Sequence, residues 1–119
     1  MQYLLLIYGN EQIEASQSPA EMDAWMGEYT SYTEALQQAG ILAGGEALHP
    51  TSAATTVRVQ NGKTVTTHGP FAETKEQLGG YYVLDCGNLD QAIEWAAKCP
   101  GARVGSVEVR PVMDFSQSS

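Results

Sequence analysis

The side chains best suited to chemistry in this sequence lie on either side of a Gly69-Pro70-Phe71 turn. His68 stands immediately before it. An imidazole changes charge near neutral pH, so a His held beside a rigid turn can accept a proton and give it back. Glu73 and Glu76 follow, spaced to share one face of a helical turn. Two neighbouring carboxylates push their pKa values apart and can divide the roles of acid and base. Lys75 would offset part of their charge. His68 and Glu73 are therefore the candidate catalytic pair. The same residues also read as a capped turn with a solvated charge cluster, and the pattern leaves both readings open.

Candidate ligand contacts extend beyond the turn. Glu46 follows Gly44-Gly45 on an otherwise apolar segment. A carboxylate beside a barrel interior needs a partner, and Arg58 or Arg110 could supply one. Glu46, Arg58, Lys75, Glu76 and Tyr81 complete the set. Tyr81 and Tyr82 point to opposite faces of a strand, so one of them can face a pocket while the other packs. His49, before Pro50, reads as a loop residue. Trp25 and Trp95 read as helix residues packed in the core, and Phe71 as an anchor that plugs the turn into it. Gly69 gives conformational freedom and Pro70 fixes its own φ, which would hold neighbouring polar groups still.

Other chemistries have no footing. His49, His68, Cys86 and Cys99 show none of the usual metal-ligand spacings, and no cofactor is expected. Gly44-Gly45 and Gly79-Gly80 lack the pattern of a phosphate-binding loop. No nucleophile elbow is present.

These residues must be positioned by one small domain. The chain has 119 residues, 43% hydrophobic and 17% charged, which suits a globular domain with its own core. Acidic residues outnumber basic ones 14 to 6, for a net charge of −8, and no run of Lys or Arg occurs. Nucleic acid and anionic membrane surfaces are poor partners for such a chain, whereas a basic protein surface is allowed. Cys86 and Cys99 sit in apolar stretches and read as buried hydrophobes. The apolar stretch at the N-terminus is too short for a signal peptide or a membrane span, so the expected location is cytoplasmic, with reduced thiols.

The pattern predicts a strand over Gln2–Tyr8, then a helix introduced by the capping box Ser18-Pro19-Ala20-Glu21. Met22, Trp25, Met26, Tyr29, Thr33 and Leu36 lie at helical spacing, and Gly40 closes the helix. A second strand covers Ile41–Leu48. Thr55–Gln60 and Thr64–Thr67 flank Asn61-Gly62, a strong hairpin signal. Glu73–Leu78 suggests a helical turn. Tyr81–Cys86 is the next strand, Asn88 caps a second helix, and Arg103–Pro111 is the last strand. The expected domain spans residues 1–115, with a frayed tail at 116–119.

The order β-α-β, hairpin, β-α-β is a ferredoxin-like split βαβ with an inserted hairpin, an α+β fold. Its two central strands would be Gln2–Tyr8 and Tyr81–Cys86, both apolar on both faces. Two helices can cover only one face. Either a second copy of the chain or the inserted hairpin must cover the other. A second copy gives a homodimeric α/β barrel, with a small-molecule cleft between sheet and helices.

The segment GPFAETKEQLGGYYVLDC (Gly69–Cys86) resembles the motif region of YCII-related proteins, in the branch named for an Asp-Gly-Pro-Phe signature. Gly45–Leu48, AIEWAAKCP (Ala92–Pro100) and VEVRPV (Val107–Val112) extend the resemblance over residues 1 to about 115. It implies the ferredoxin-like fold and a dimeric barrel. It also implies a possible link to extracytoplasmic-function sigma factors, and one distant relative is a dehydrochlorinase acting on a chlorinated aromatic. Two departures stand out. The signature Asp is His68 here, and the first helix lacks the His that, with an Asp, suggests catalysis in other YCII-like proteins, so that dyad does not carry over. The expected function is small-molecule binding in a barrel cleft with lyase- or isomerase-type proton transfer; the alternative is an interaction module for a sigma factor.

Overall fold

The computed structural model describes residues 1–115; the tail expected at 116–119 lies outside the described residues. β1 (Gln2–Gly9) is followed by a short helix α1 (Glu11–Ala15) and the long helix α2 (Pro19–Gln38). β2 (Leu42–Ala47), the hairpin β3 (Thr55–Gln60) and β4 (Lys63–His68), β5 (Gln77–Asp85), α3 (Leu89–Lys98) and β6 (Ser106–Pro111) complete the chain. The main sheet is antiparallel, in the order β2-β5-β1-β6. With the hairpin set aside, that is the ferredoxin-like arrangement, with the first and third core strands in the middle.

Local chemistry explains the ends. Ser18 Oγ accepts from the Glu21 amide at 3.1 Å while the Glu21 carboxylate accepts from the Ser18 amide at 3.1 Å. Asn88 Oδ1 caps α3 by accepting from the Gln91 amide at 2.9 Å. Asn61 and Gly62 take φ of 51° and 76°, as the two central residues of a type I′ hairpin turn require.

The core lies between the sheet and two helices. Tyr3, Leu5 and Leu84 from the sheet meet Tyr32 and Leu36 of α2 and Ala92 and Ala96 of α3. Val107 and Val109 pack against it, and both cysteines are buried within it, as their apolar surroundings predict. Trp95 is half-buried against this core, its ring 6.4 Å from that of Tyr32.

Several expectations are corrected. The sequence pattern gives no element between the first strand and the helix at Ser18, yet Asn10 Oδ1 accepts from the amides of Gln12 and Ile13 at 2.9 and 3.2 Å and closes α1 into a helix. No helical turn forms over Glu73–Leu78. The Thr74 hydroxyl donates to the Glu76 carbonyl at 2.6 Å, and the Gln77 side chain donates to the Thr74 carbonyl at 2.6 Å; such bonds compete with the helical ones. β5 consequently starts at Gln77, through Gly79-Gly80, rather than at Tyr81. Arg103 belongs to a 3₁₀ turn over Pro100–Arg103, held at α2 by an ion pair with Glu28, so β6 starts only at Ser106.

The hairpin stands away from the body. Val57, Val59 and Val65 are 59%, 71% and 38% exposed, so the hairpin does not fold over the open face of the sheet. The radius of gyration is 16.6 Å, against about 13.5 Å for a compact chain of this length. Phe71 is 78% exposed and plugs nothing. The turn is held instead by Gly69, at a φ of 103° that favours glycine. Its amide donates to Ala54 O at 2.7 Å, and its carbonyl accepts from Thr56 Oγ1 at 2.8 Å. Those bonds tie the turn to the base of the hairpin rather than to the core. By strand alternation Leu4, Leu6, Tyr81 and Val83 face away from both helices.

Candidate functional site

A cleft of about 850 Å³ opens between α2 and the β2 side of the sheet. Its floor exists because side chains are missing there. Gly45 stands opposite Tyr82 and Gly80 opposite Ala47, so the two lie diagonally across β2 and β5, with Gly44 and Gly79 beside them in the chain. A Cβ on Gly45 would lie 2.7 Å from Tyr81 O, and one on Gly80 would lie 2.9 Å from Glu46 O. Two register irregularities frame this region, one between Leu42 and Gly44 on β2 and one between Ile7 and Tyr8 on β1. Bulges of this kind bend a strand and re-aim its side chains, often beside functional sites.

Aromatic rings form much of the wall. Trp25 on α2 lines the cleft rather than sealing in the core, because the N-terminal half of α2 overhangs the glycine floor; neighbouring Met22 and Met26 are 49% and 66% exposed. The Trp25 and Tyr29 rings meet edge to face, with centroids 5.5 Å apart and planes at 78°. Tyr8, Tyr81 and Tyr82 also border the space.

Two phenols are fixed by their partners. Tyr29 Oη accepts from the Gly101 amide at 3.1 Å and from Cys99 Sγ at 3.8 Å. Gly101 permits this approach, since a Cβ there would lie 2.8 Å from Tyr29 Oη. Burial, reinforced by the neighbouring Cys99, pushes the Tyr29 phenol well above its ordinary range. Burial also raises Tyr82, partly offset by its 2.7 Å hydrogen bond with Thr33 Oγ1. Both phenols are neutral at physiological pH, and with its acceptor oxygen already engaged Tyr29 has its own proton to donate.

The sequence reading passed over Glu14. It stands on α1 with a carboxylate oxygen close to Gly9, where a Cβ would lie only 2.9 Å from it, and it borders the cleft. Burial raises its pKa, and the charge of Glu11 adds to the effect. Glu11 is itself occupied, accepting from the Thr51 amide at 2.8 Å and the Thr51 hydroxyl at 2.7 Å, and this fixes α1 against the body. The available signal was Asn10, an N-cap residue three positions ahead of an apolar one.

The residues named from the sequence are divided. Glu46 and Tyr81 are cross-strand neighbours whose strand positions border the cleft, but their side chains turn to the face of the sheet away from α2. Arg58 and His68 lie on the projecting hairpin, and Glu73 and Lys75 on the exposed segment after it. Glu76 accepts a 2.8 Å hydrogen bond from Ser106 Oγ. None of these five lines the cleft. Glu46 is exposed and needs no buried counter-charge, while Arg110 pairs with Glu108 on its own strand.

Comparison with known proteins gives one family and two instructive relatives. The model of the YCII-related domain matches residues 1–116. An uncharacterised protein of Rhizobium meliloti (strain 1021), R00369, is 40% identical over 114 residues, covering 94% of this chain and 92% of the relative. Among solved structures, the chain resembles 5-chloro-2-hydroxyhydroquinone dehydrochlorinase (TftG) from Burkholderia phenoliruptrix AC1100, solved in complex with 2,5-dihydroxybenzoquinone. The TM-score is 0.51 at 10% identity, with 100% of both chains covered. That likeness supports the ferredoxin-like fold. Neither relative is described as a partner of a sigma factor. Among the described residues no helix is long and apolar enough to cross a membrane.

Proposed function

This chain belongs to the YCII-related family, and on that premise we propose that it binds a small molecule in the glycine-floored cleft and moves a proton on it, in lyase or isomerase fashion. The observation that carries the reading is the cleft itself: about 850 Å³ of space, walled by Trp25 and Tyr29 and bordered by Glu14. That volume is within the range of small-molecule sites. Glu14 is the proposed proton acceptor, being a carboxylate with a raised pKa beside the space a ligand would occupy. Tyr29 is the proposed donor, and Tyr82, whose hydroxyl meets Thr33 of α2, is the contact from the sheet. The dehydrochlorinase, a structural relative named for a lyase-type reaction, is in keeping with this reading.

A homodimer is part of the proposal. The half-buried Leu4, Leu6 and Val83 on the open face, and the hairpin with its exposed Val57 and Val59, suit a second copy. In such a dimer His68 and Glu73 act on a cleft only if the arm of one copy reaches that of the other.

The test is an NMR screen of neutral, cationic and anionic aromatic fragments. Support would be shifts confined to the Trp25 indole and the Gly45, Gly80 and Gly101 amides, together with exchange of a ligand C–H into D₂O that Glu14→Gln abolishes. Fragments that leave those signals unmoved would overturn the binding site. Sedimentation of the wild type against Leu6→Glu tests the dimer, with a monomeric wild type as the refuting result.

A further inference from the structure

The cleft carries charge of one sign. Glu14 from α1 and Glu34 from α2 border it, whereas Glu46, the cross-strand partner of Tyr81, turns its side chain to the opposite face of the sheet; among the described residues no Lys, Arg or His lines the cleft. The Arg103 guanidinium stands over the Trp25 ring, 5.8 Å from its centroid, and is already paired with Glu28. The aromatic rings add to the asymmetry, because the face of each presents the negative part of its quadrupole. Trp25 and Tyr29, with planes at 78°, make two near-perpendicular walls of a corner, the arrangement by which aromatic residues surround a cation.

We propose that the ligand of this cleft is an organic cation, an amine or quaternary ammonium carrying an apolar body. The inference rests on the reading of the cleft as a binding site and names its ligand class. The apolar body fills the glycine-floored space against Trp25 and Tyr29, and the ammonium group lies among the rings and carboxylates. An anion of the same shape meets carboxylates with no counter-charge to offset them, and a neutral molecule forgoes both attractions. The raised pKa of Glu14 fits this picture, since a cation alongside would stabilise its charged form.

Three probes of similar size separate the possibilities: benzyltrimethylammonium, benzyl alcohol and benzoate, each titrated into the intact protein while the Trp25 indole N–H is followed by NMR. The expected result is binding of the ammonium about tenfold or more tighter than of benzyl alcohol at low salt, with benzoate weakest. The gap should narrow in roughly 0.5 M salt, where charges are screened within a few ångströms. The double variant Glu14→Gln, Glu34→Gln should weaken the ammonium several-fold and leave benzyl alcohol unchanged. Benzyl alcohol or benzoate binding as tightly as the ammonium would overturn the cation inference while leaving the cleft as a binding site. A Trp25 signal unmoved by all three would overturn both.

Discussion

Replacing Tyr29 by Phe removes one oxygen and leaves the ring that lines the cleft. The oxygen accepts the Gly101 amide at 3.1 Å. Gly101 is buried, so its N–H is left without a partner when the phenol goes. A buried, unsatisfied amide costs about 1–3 kcal/mol, and the void left by one oxygen adds little. The weaker thiol contact at 3.8 Å is also lost. We therefore expect a loss of roughly 2 kcal/mol, which for a domain of this size lowers Tm by about 6–12 °C. Urea denaturation should show a lower midpoint with an unchanged m-value, since the surface exposed on unfolding hardly alters. Hydrogen exchange supplies the specific readout, because the Gly101 amide should lose protection more than the amides of β1 or β5. An unchanged midpoint with full Gly101 protection would refute the account, since it would mean that the phenol is not what satisfies this amide.

Glycine replacements should split by site. Gly45→Ala places a Cβ 2.7 Å from Tyr81 O and 2.9 Å from Tyr82 Cδ1, and overpacking against backbone should cost about 1–3 kcal/mol in urea melts. Gly27→Ala, in the exposed middle of α2 with nothing within 4 Å of the new Cβ, should instead stabilise by roughly 0.5–1 kcal/mol. Stability should fall in alkali. Burial raises the phenols of Tyr29 and Tyr32 above their unfolded values, so the stability they contribute is complete below about pH 10 and is lost as pH rises beyond it, by up to about 1.4 kcal/mol per unit for each phenol. Urea midpoints measured from pH 8 to pH 11.5 check the slope. Cys86 and Cys99 are buried with raised pKa values, so a thiol reagent should modify them only as fast as the chain opens. Immediate reaction in the native state would contradict their placement.

Where sequence and structure agree, the signals were local and redundant. The capping box at Ser18, the Asn61-Gly62 turn and the alternation of Val107 and Val109 each depend on a few adjacent residues with one favourable geometry. The central places of β1 and β5 in the sheet needed only the runs of apolar residues at Leu4–Ile7 and Tyr81–Leu84. The errors arose where local preference competes with distant pairing. Glu73–Leu78 has acceptable helical residues, but Leu78 pairs with Tyr8 across the sheet and Gly80 pairs with both Ile7 and Ala47. Those long-range ladder bonds decide the outcome, and no window of the sequence contains them.

The lining of the cleft was not legible in the sequence for a related reason. His68, Glu73 and Arg58 draw attention because their side chains are reactive, yet a binding site also needs space, and space is created by residues with nothing to show. Gly44-Gly45 reads as a break in one strand and Gly79-Gly80 as the end of a helical turn; only when β2 and β5 lie side by side do Gly45 and Gly80 come onto the face beneath the overhanging end of α2. Trp25 looked like core because its helical spacing matches Tyr32 and Leu36, but without side chains opposite it there is no core at that level for it to fill. Glu14 drew no notice because its segment carries no strong helix pattern, and α1 is only five residues long. What places it at the cleft is the absence of a side chain at Gly9 and the anchoring of Glu11 on Thr51. The polar residues of this cleft thus owe their chemistry to the glycines around them. Substituting those glycines is a sharper test of the site than substituting any single acid: it removes the space while leaving every reactive group in the chain.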